Sequence, residues 1–164
     1  MDKVLAGKWL RALGYDISTD DDGDIGFDLT PFFACYLSIC PALMEFVTVN
    51  QVDNLSHCLK LILVNTLNAG RQSPKWIVTQ AGSVLCAMRH ALHNPVCLPE
   101  FGRYVRTFGM HALAGFCFLD SASQRFQQRQ DQVDSTDVVT DTDGATESTD
   151  DIAKDWVAVE KLLH

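Results

Sequence analysis

Phe32-Phe33-Ala34-Cys35-Tyr36-Leu37-Ser38-Ile39-Cys40-Pro41-Ala42-Leu43-Met44-Glu45-Phe46-Val47-Thr48-Val49 is the most apolar stretch of the chain. Pro41 and Glu45 interrupt it and strand formers dominate it, so it reads as two strands, about 32–39 and 43–49, rather than as a membrane span. Phe32–Ile39 is apolar at odd and even positions alike, which suits an interior strand covered by helices.

Upstream, Tyr15, Ile17 and Thr19 alternate with polar residues, as do Ile25, Phe27 and Leu29. Asp20-Asp21-Asp22-Gly23-Asp24 lies between them, so the pair reads as a hairpin with Gly23 free to take positive φ. Before it, Val4, Leu5, Trp9, Leu10 and Leu13 recur at helical spacing over 2–13, and Gly14 supplies a stop.

Downstream, residues 52–69 read as a second helix. Val52, Leu55, Cys58, Leu59, Ile62, Leu63 and Thr66 share one face, while Leu61, Val64 and Leu67 point the other way among His57, Lys60 and Asn68. A helix packed once on a sheet does not need that second set. It is expected to form a subunit interface, with packing on another element of the same chain as the alternative. Two strands follow at about 75–80 and 83–90, joined around Ala81-Gly82. A third helix over about 98–126 carries Phe101, Tyr104, Val105, Phe108, Ala112, Phe116 and Leu119 as its apolar stripe. Gly102 and Gly109 share a helix face, by sequence drift or because another element approaches closely there. Helix, four strands, helix, two strands, helix lacks βαβ alternation, so the class is α+β with a largely antiparallel sheet.

Residues 127–151 are rich in Asp, Thr and Ser and are expected to be a disordered acidic linker after a 1–126 domain. Over 152–164, Ile152, Trp156, Val159 and Leu163 recur at helical spacing. So short a helix needs a surface to dock on, in its own chain or in another. The formal charge of −8 is confined to this region: residues 1–129 carry 11 acidic and 11 basic residues, whereas 130–153 carry 8 acidic and none basic. A charge-balanced body argues against a nucleic-acid partner. Lys8 and Arg11 break the apolar start, so neither an export signal nor membrane association is expected.

Six cysteines, Cys35, Cys40, Cys58, Cys86, Cys97 and Cys117, form no C-x-x-C pair, and read as free thiols in a reducing cytoplasm. Asp20, Asp22, Asp24 and Asp28 fit part of a calcium loop, but Ile25 and Pro31 stand where Gly and Glu are required, so a solvated turn is the better reading. Cys86, His90, His93 and Cys97 are candidate zinc ligands or parts of a thiol site, against a plain core cysteine and loop histidines. No nucleophile elbow, P-loop or dinucleotide motif occurs; no catalytic residue and no cofactor is assigned.

Leu10-Arg11-Ala12-Leu13-Gly14-Tyr15, followed by Asp22-Gly23-Asp24-Ile25-Gly26-Phe27, resembles the opening of YbjN-type proteins, which share the type III secretion chaperone-like fold. Leu63-Val64-Asn65-Thr66-Leu67-Asn68, then Lys75 and two strands, is similar to the same family's central helix and second sheet segment, and the apolar helix to Phe116 fits as well. The resemblance covers about residues 2–120. It implies a bacterial, cytoplasmic, usually dimeric protein that binds other proteins rather than catalysing. It also implies that the central helix helps to form the dimer, in line with Leu61, Val64 and Leu67. The function expected is therefore a non-catalytic protein-binding module, chaperone-like or regulatory. The alternative is a metal-dependent or thiol enzyme built on Cys86, His90, His93 and Cys97.

Overall fold

Asp2 opens the first helix, α1 (Lys3–Ala12), because its carboxylate accepts a hydrogen bond from the Leu5 N–H at 2.8 Å and satisfies one of the orphan donors there. The acidic turn then closes the hairpin of β1 (Ile17–Thr19) and β2 (Ile25–Thr30). Gly23 takes φ 75°, the Asp20 carboxylate accepts from the Asp24 N–H at 2.8 Å, and the Lys3 ammonium reaches the Asp22 carbonyl and the Asp24 carboxylate. These aspartates are thus used as turn formers and as a cradle for a lysine.

The structure, a computed structural model, describes residues 1–30, 33–69, 73–92 and 95–136. The apolar stretch forms β3 (Phe33–Cys40) and β4 (Leu43–Asn50). Then come α2 (His57–Asn68), β5 (Lys75–Val78), β6 (Val84–Ala91) and α3 (Leu98–Thr136). All strand pairs are antiparallel, and the sheet order is β1-β2-β3-β4-β6-β5. The class and element order are those read from the sequence.

Even positions of β4 and β6 and odd positions of β3 point to one side, where Cys35, Leu37, Met44, Phe46, Val84, Cys86 and Met88 are buried. Ala6 and Leu10 of α1, Leu63, Val64 and Leu67 of α2, and Phe101, Val105, Phe108, Ala112, Phe116 and Leu119 of α3 join them in one core. Its centre is aromatic: Phe46 stacks on Phe108 at 5.6 Å and lies 6.3 Å from Phe101. β3 is interior to the sheet, as expected, but the described helices cover only one of its faces, and Ala34, Tyr36 and Cys40 are exposed.

Two element boundaries differ from the sequence reading. Ser56 is the N-cap of α2, its hydroxyl accepting from the Leu59 N–H at 3.3 Å, and Asn54 just before it has φ 61°. Val52 and Leu55 are buried but lie outside the helix. Counting them as helical set the phase of the periodicity wrongly. The buried stripe is Lys60, Leu63, Val64 and Leu67, spaced three, four and three. Second, α3 does not end near 126 but runs to Thr136, so residues 127–136 of the expected disordered linker are helical. Gln127-Gln128-Arg129-Gln130 is polar all round yet made of good helix formers. The remainder of the expected linker, and the terminal segment with Ile152, Trp156, Val159 and Leu163, lie outside the described residues.

α3 can sit close to the end of α1 and to the sheet because of small residues. A Cβ on Gly102 would come within 3.3 Å of the Leu13 side chain, and one on Gly109 within 3.3 Å of Leu29. The tightest approach is at Gly115, where a Cβ would fall within the Trp76 indole. Trp76 itself holds β5 to α2 through its backbone: the Asn68 carboxamide donates to the Trp76 carbonyl at 2.8 Å and accepts from its N–H at 2.9 Å. One side chain thereby stands in for a neighbouring strand at the sheet edge.

Gly115→Ala should destabilise the fold by about 1–3 kcal/mol, since a rigid ring and a helix backbone must separate; the shift in urea midpoint measures it. Asn68→Ala should cost about 1–3 kcal/mol for two orphaned backbone groups, and hydrogen exchange at the Trp76 amide should speed up with it.

Candidate functional site

The open side of the sheet is built by the alternation that builds the core. Opposite each buried residue of β4 and β6 an odd-numbered neighbour points outward, and here most of those neighbours are apolar. Tyr36 pairs with Val47, which pairs with Ala87. In the next row Val49 pairs with Leu85, which pairs with Ile77. Tyr36, Val49 and Ile77 are 47%, 46% and 51% exposed, and Val47, Leu85 and Ala87 are half-buried. Ser38, Glu45 and Arg89 form the polar row beyond them, with the Arg89 Nε donating to Glu45 Oε1 at 2.7 Å. The six apolar side chains are contiguous across four strands, and β-branched or aromatic residues hold their shape at small entropic cost.

These residues were missed as a site in the sequence reading, although a signal was present. Val47, Val49, Leu85 and Ala87 are as apolar as the buried residues they alternate with, which marks strands with two greasy faces. Such a pattern does not say whether the second face meets the protein's own helices or something else.

The expected interface set on α2 is divided by the structure. Leu61 is 42% exposed, whereas Val64 and Leu67 are buried in the core. Their assignment to an outward face is corrected by the phase shift of α2 described above. Lys60, read as a neighbour on that outward face, is buried too, and its ammonium donates to the Gly82 carbonyl at 2.8 Å to tie α2 to the β5–β6 turn.

Cys86 and His90 do not meet. They lie on the same face of one strand, four residues and hence roughly 13 Å apart, too far to ligate one metal ion. Burial pushes the Cys86 thiol up to about 12 and raises that of Cys35 further, so both stay protonated and unreactive near neutral pH. Cys97 is exposed just before α3, and His93 lies outside the described residues. Among the described residues no group of three or more His, Cys, Asp or Glu side chains is placed to hold a metal ion.

His90 has a packing role instead. Its ring stacks on Tyr104 at 4.0 Å and meets Phe46 edge-on at 6.2 Å, joining the end of β6 to α3. The Tyr104 hydroxyl donates to Glu100 at 2.7 Å, which raises the tyrosine's pKa. Desolvation lowers the His90 pKa below its usual 6.5.

Among the described residues, two cavities flank α3 on the helix side of the sheet. One of about 260 Å³ is lined by Tyr15, Leu29, Phe33, Val105, Met110 and Leu113 among others. The other, of about 570 Å³, includes Phe33, Val52, Asp53, Leu113, Phe116 and Asp120. Phe33 and Leu113 line both. Ser123 closes the far end by donating to the Asp53 carbonyl at 2.7 Å.

Set beside solved structures, the chain matches YbjN from E. coli with a TM-score of 0.62 at 13% identity, over 76% of this chain and 94% of that one. The fold is YbjN-like. An uncharacterized protein from Methanothermobacter thermautotrophicus matches with a TM-score of 0.54 at 10% identity, over 74% of this chain and 99% of that one. The Yersinia pestis type III secretion chaperone SycH, solved with a stable fragment of a second protein, gives 0.44 at 11% identity, over 76% and 98%. No protein-family model and no curated protein matches the sequence. Among the described residues, no helix is long and apolar enough to cross a membrane.

Because a neutral His90 suits the folded state better than a charged one, its contribution to stability should be fully present above about pH 6.5 and should decline as the pH falls below it. His90→Phe should therefore lose less thermal stability than the parent between pH 7.5 and 5.5; equal losses would show that His90 titrates without consequence.

Proposed function

We propose that the chain is a non-catalytic protein-binding module, chaperone-like or regulatory, that works as a homodimer in the cytoplasm. The observation that carries the reading is the open face of the sheet, with Tyr36, Val47, Val49, Ile77, Leu85 and Ala87 contiguous and not covered by any of the described helices. An apolar patch of this extent is worth covering, at about 25 cal/mol for each Å² removed from water. An open sheet face offers breadth rather than an enclosing cleft, which suits a polypeptide segment better than a small ligand. Cys86 is held as a protonated thiol and the strand geometry separates it from His90, which weighs against a thiol or metal site shared by that pair. All six thiols are free, in keeping with a reducing compartment.

The reading is tested by pull-down from the native host with the full chain and with a Val49→Glu, Ile77→Glu variant. Proteins retained by the parent should fall by roughly tenfold with the variant, while circular dichroism and melting temperature stay close to the parent's. Undiminished recovery would remove the sheet face as the binding surface.

A further inference from the structure

The outward side of α3 carries a second pattern, independent of the sheet face. Arg103, Arg106, Met110, Leu113, Cys117, Asp120 and Gln124 are all exposed, Met110 by 73% and Leu113 by 43%. From Arg106 onward their spacing alternates four and three, the repeat of a coiled-coil seam. At about 100° per residue they centre roughly 140° around the helix from the buried stripe of Phe101, Val105, Phe108 and Ala112, and Met110 and Leu113 border the same cavity as Val105 and Ala112. This leaves a second seam on the helix that no described element of the chain covers.

We infer that this partner is a second copy of the chain, with the two α3 helices antiparallel. The inference rests on the homodimer part of the reading above and gives it a surface. Charge decides both occupant and direction. The seam is basic at its start, with Arg103 and Arg106, and acidic toward its end, with Asp120. Pairing two copies in parallel would set each arginine against itself and Asp120 against Asp120, which is unfavourable. Reversing one copy places Met110 against Leu113 of the second copy, Arg106 against Cys117 and Arg103 against Asp120. All three pairs share one midpoint, between His111 and Ala112, so a single two-fold axis satisfies them together. The stretch from 103 to 124 is roughly 30 Å long. Arg103 lies 3.6 Å from Glu100 at the surface, and Asp120 accepts from Gln124 at 2.9 Å; neither is buried, so both can turn to a partner. The cavity beside Met110, Leu113 and Leu29 offers a hole for the opposing knobs. With only the Met110 and Leu113 layers fully apolar, the dimer is expected to be of modest affinity.

Sedimentation equilibrium of the full chain across micromolar concentrations tests this. The parent should dimerise, and Met110→Glu with Leu113→Glu should yield monomers that keep the parent's circular dichroism. Arg103→Glu or Asp120→Arg alone should weaken the dimer by roughly three- to tenfold, and the two together should restore it. That exchange uses exposed positions and does not depend on burying a charge. A parent that is monomeric throughout would overturn both this surface and the homodimer reading. A dimer indifferent to all of these variants, and dissociated instead by Leu61→Glu, would overturn the α3 surface while leaving the homodimer reading in place.

Discussion

The structure depends on the seating of α3 in the inner face of the sheet through Phe46. Phe46 is fully buried on β4, against Phe101 and Phe108 one helical stripe above it. Each such ring is worth about 1.5–3 kcal/mol in burial alone. The contact also fixes position: with Phe46 against those rings, Gly115 arrives over Trp76 and Ser123 reaches the loop that carries Val52 and Asp53. α1 is held by the same helix, since Trp9 packs on Phe101 at 5.5 Å. Moving α3 along its axis by even one residue would place a Cβ where the indole lies.

This single-sided arrangement sets the functional character of the molecule. All the described helices are committed to one face, so the other face of four strands meets solvent with six apolar side chains. The polar atoms that tie the layers together are few and specific. Asn68 completes an edge strand, Lys60 reaches across to Gly82, and Ser123 anchors α3 to the loop after β4. None is arranged around a reactive centre. The residue types that invite a chemical reading, Cys86 and His90, serve the core as a protonated thiol and a stacked ring.

Much of the fold was legible because two periods are easy to hear in this sequence. Alternation over Ile25–Thr30 and the dominance of apolar strand formers over β3 and β4 mark strands; the stripe from Phe101 to Leu119 marks a helix. The errors came where a local signal was ambiguous. Val52 and Leu55 are spaced like helix residues but lie before the Ser56 cap, which rotated the reading of α2 and put Val64 and Leu67 outside. The Asp-, Thr- and Ser-rich composition after residue 126 reads as a disordered linker, but Gln127, Gln128 and Gln130 are good helix formers and the helix continues through them to Thr136. Gly115 went unremarked because nothing in the sequence announces which tryptophan will meet it.

By itself, the sequence determined the class, the order of elements and the two-faced apolarity of the central strands, because hydrophobic spacing is a local property of the chain. The coverage of those faces was decided only in three dimensions. Whether Val49 and Ile77 are core or surface, whether Cys86 meets His90, and which side of α3 is left over all depend on where distant helices come to rest. That placement is a sum of long-range packing terms, Phe46 against Phe108 and Trp76 against Gly115 foremost, and no window of sequence contains both partners.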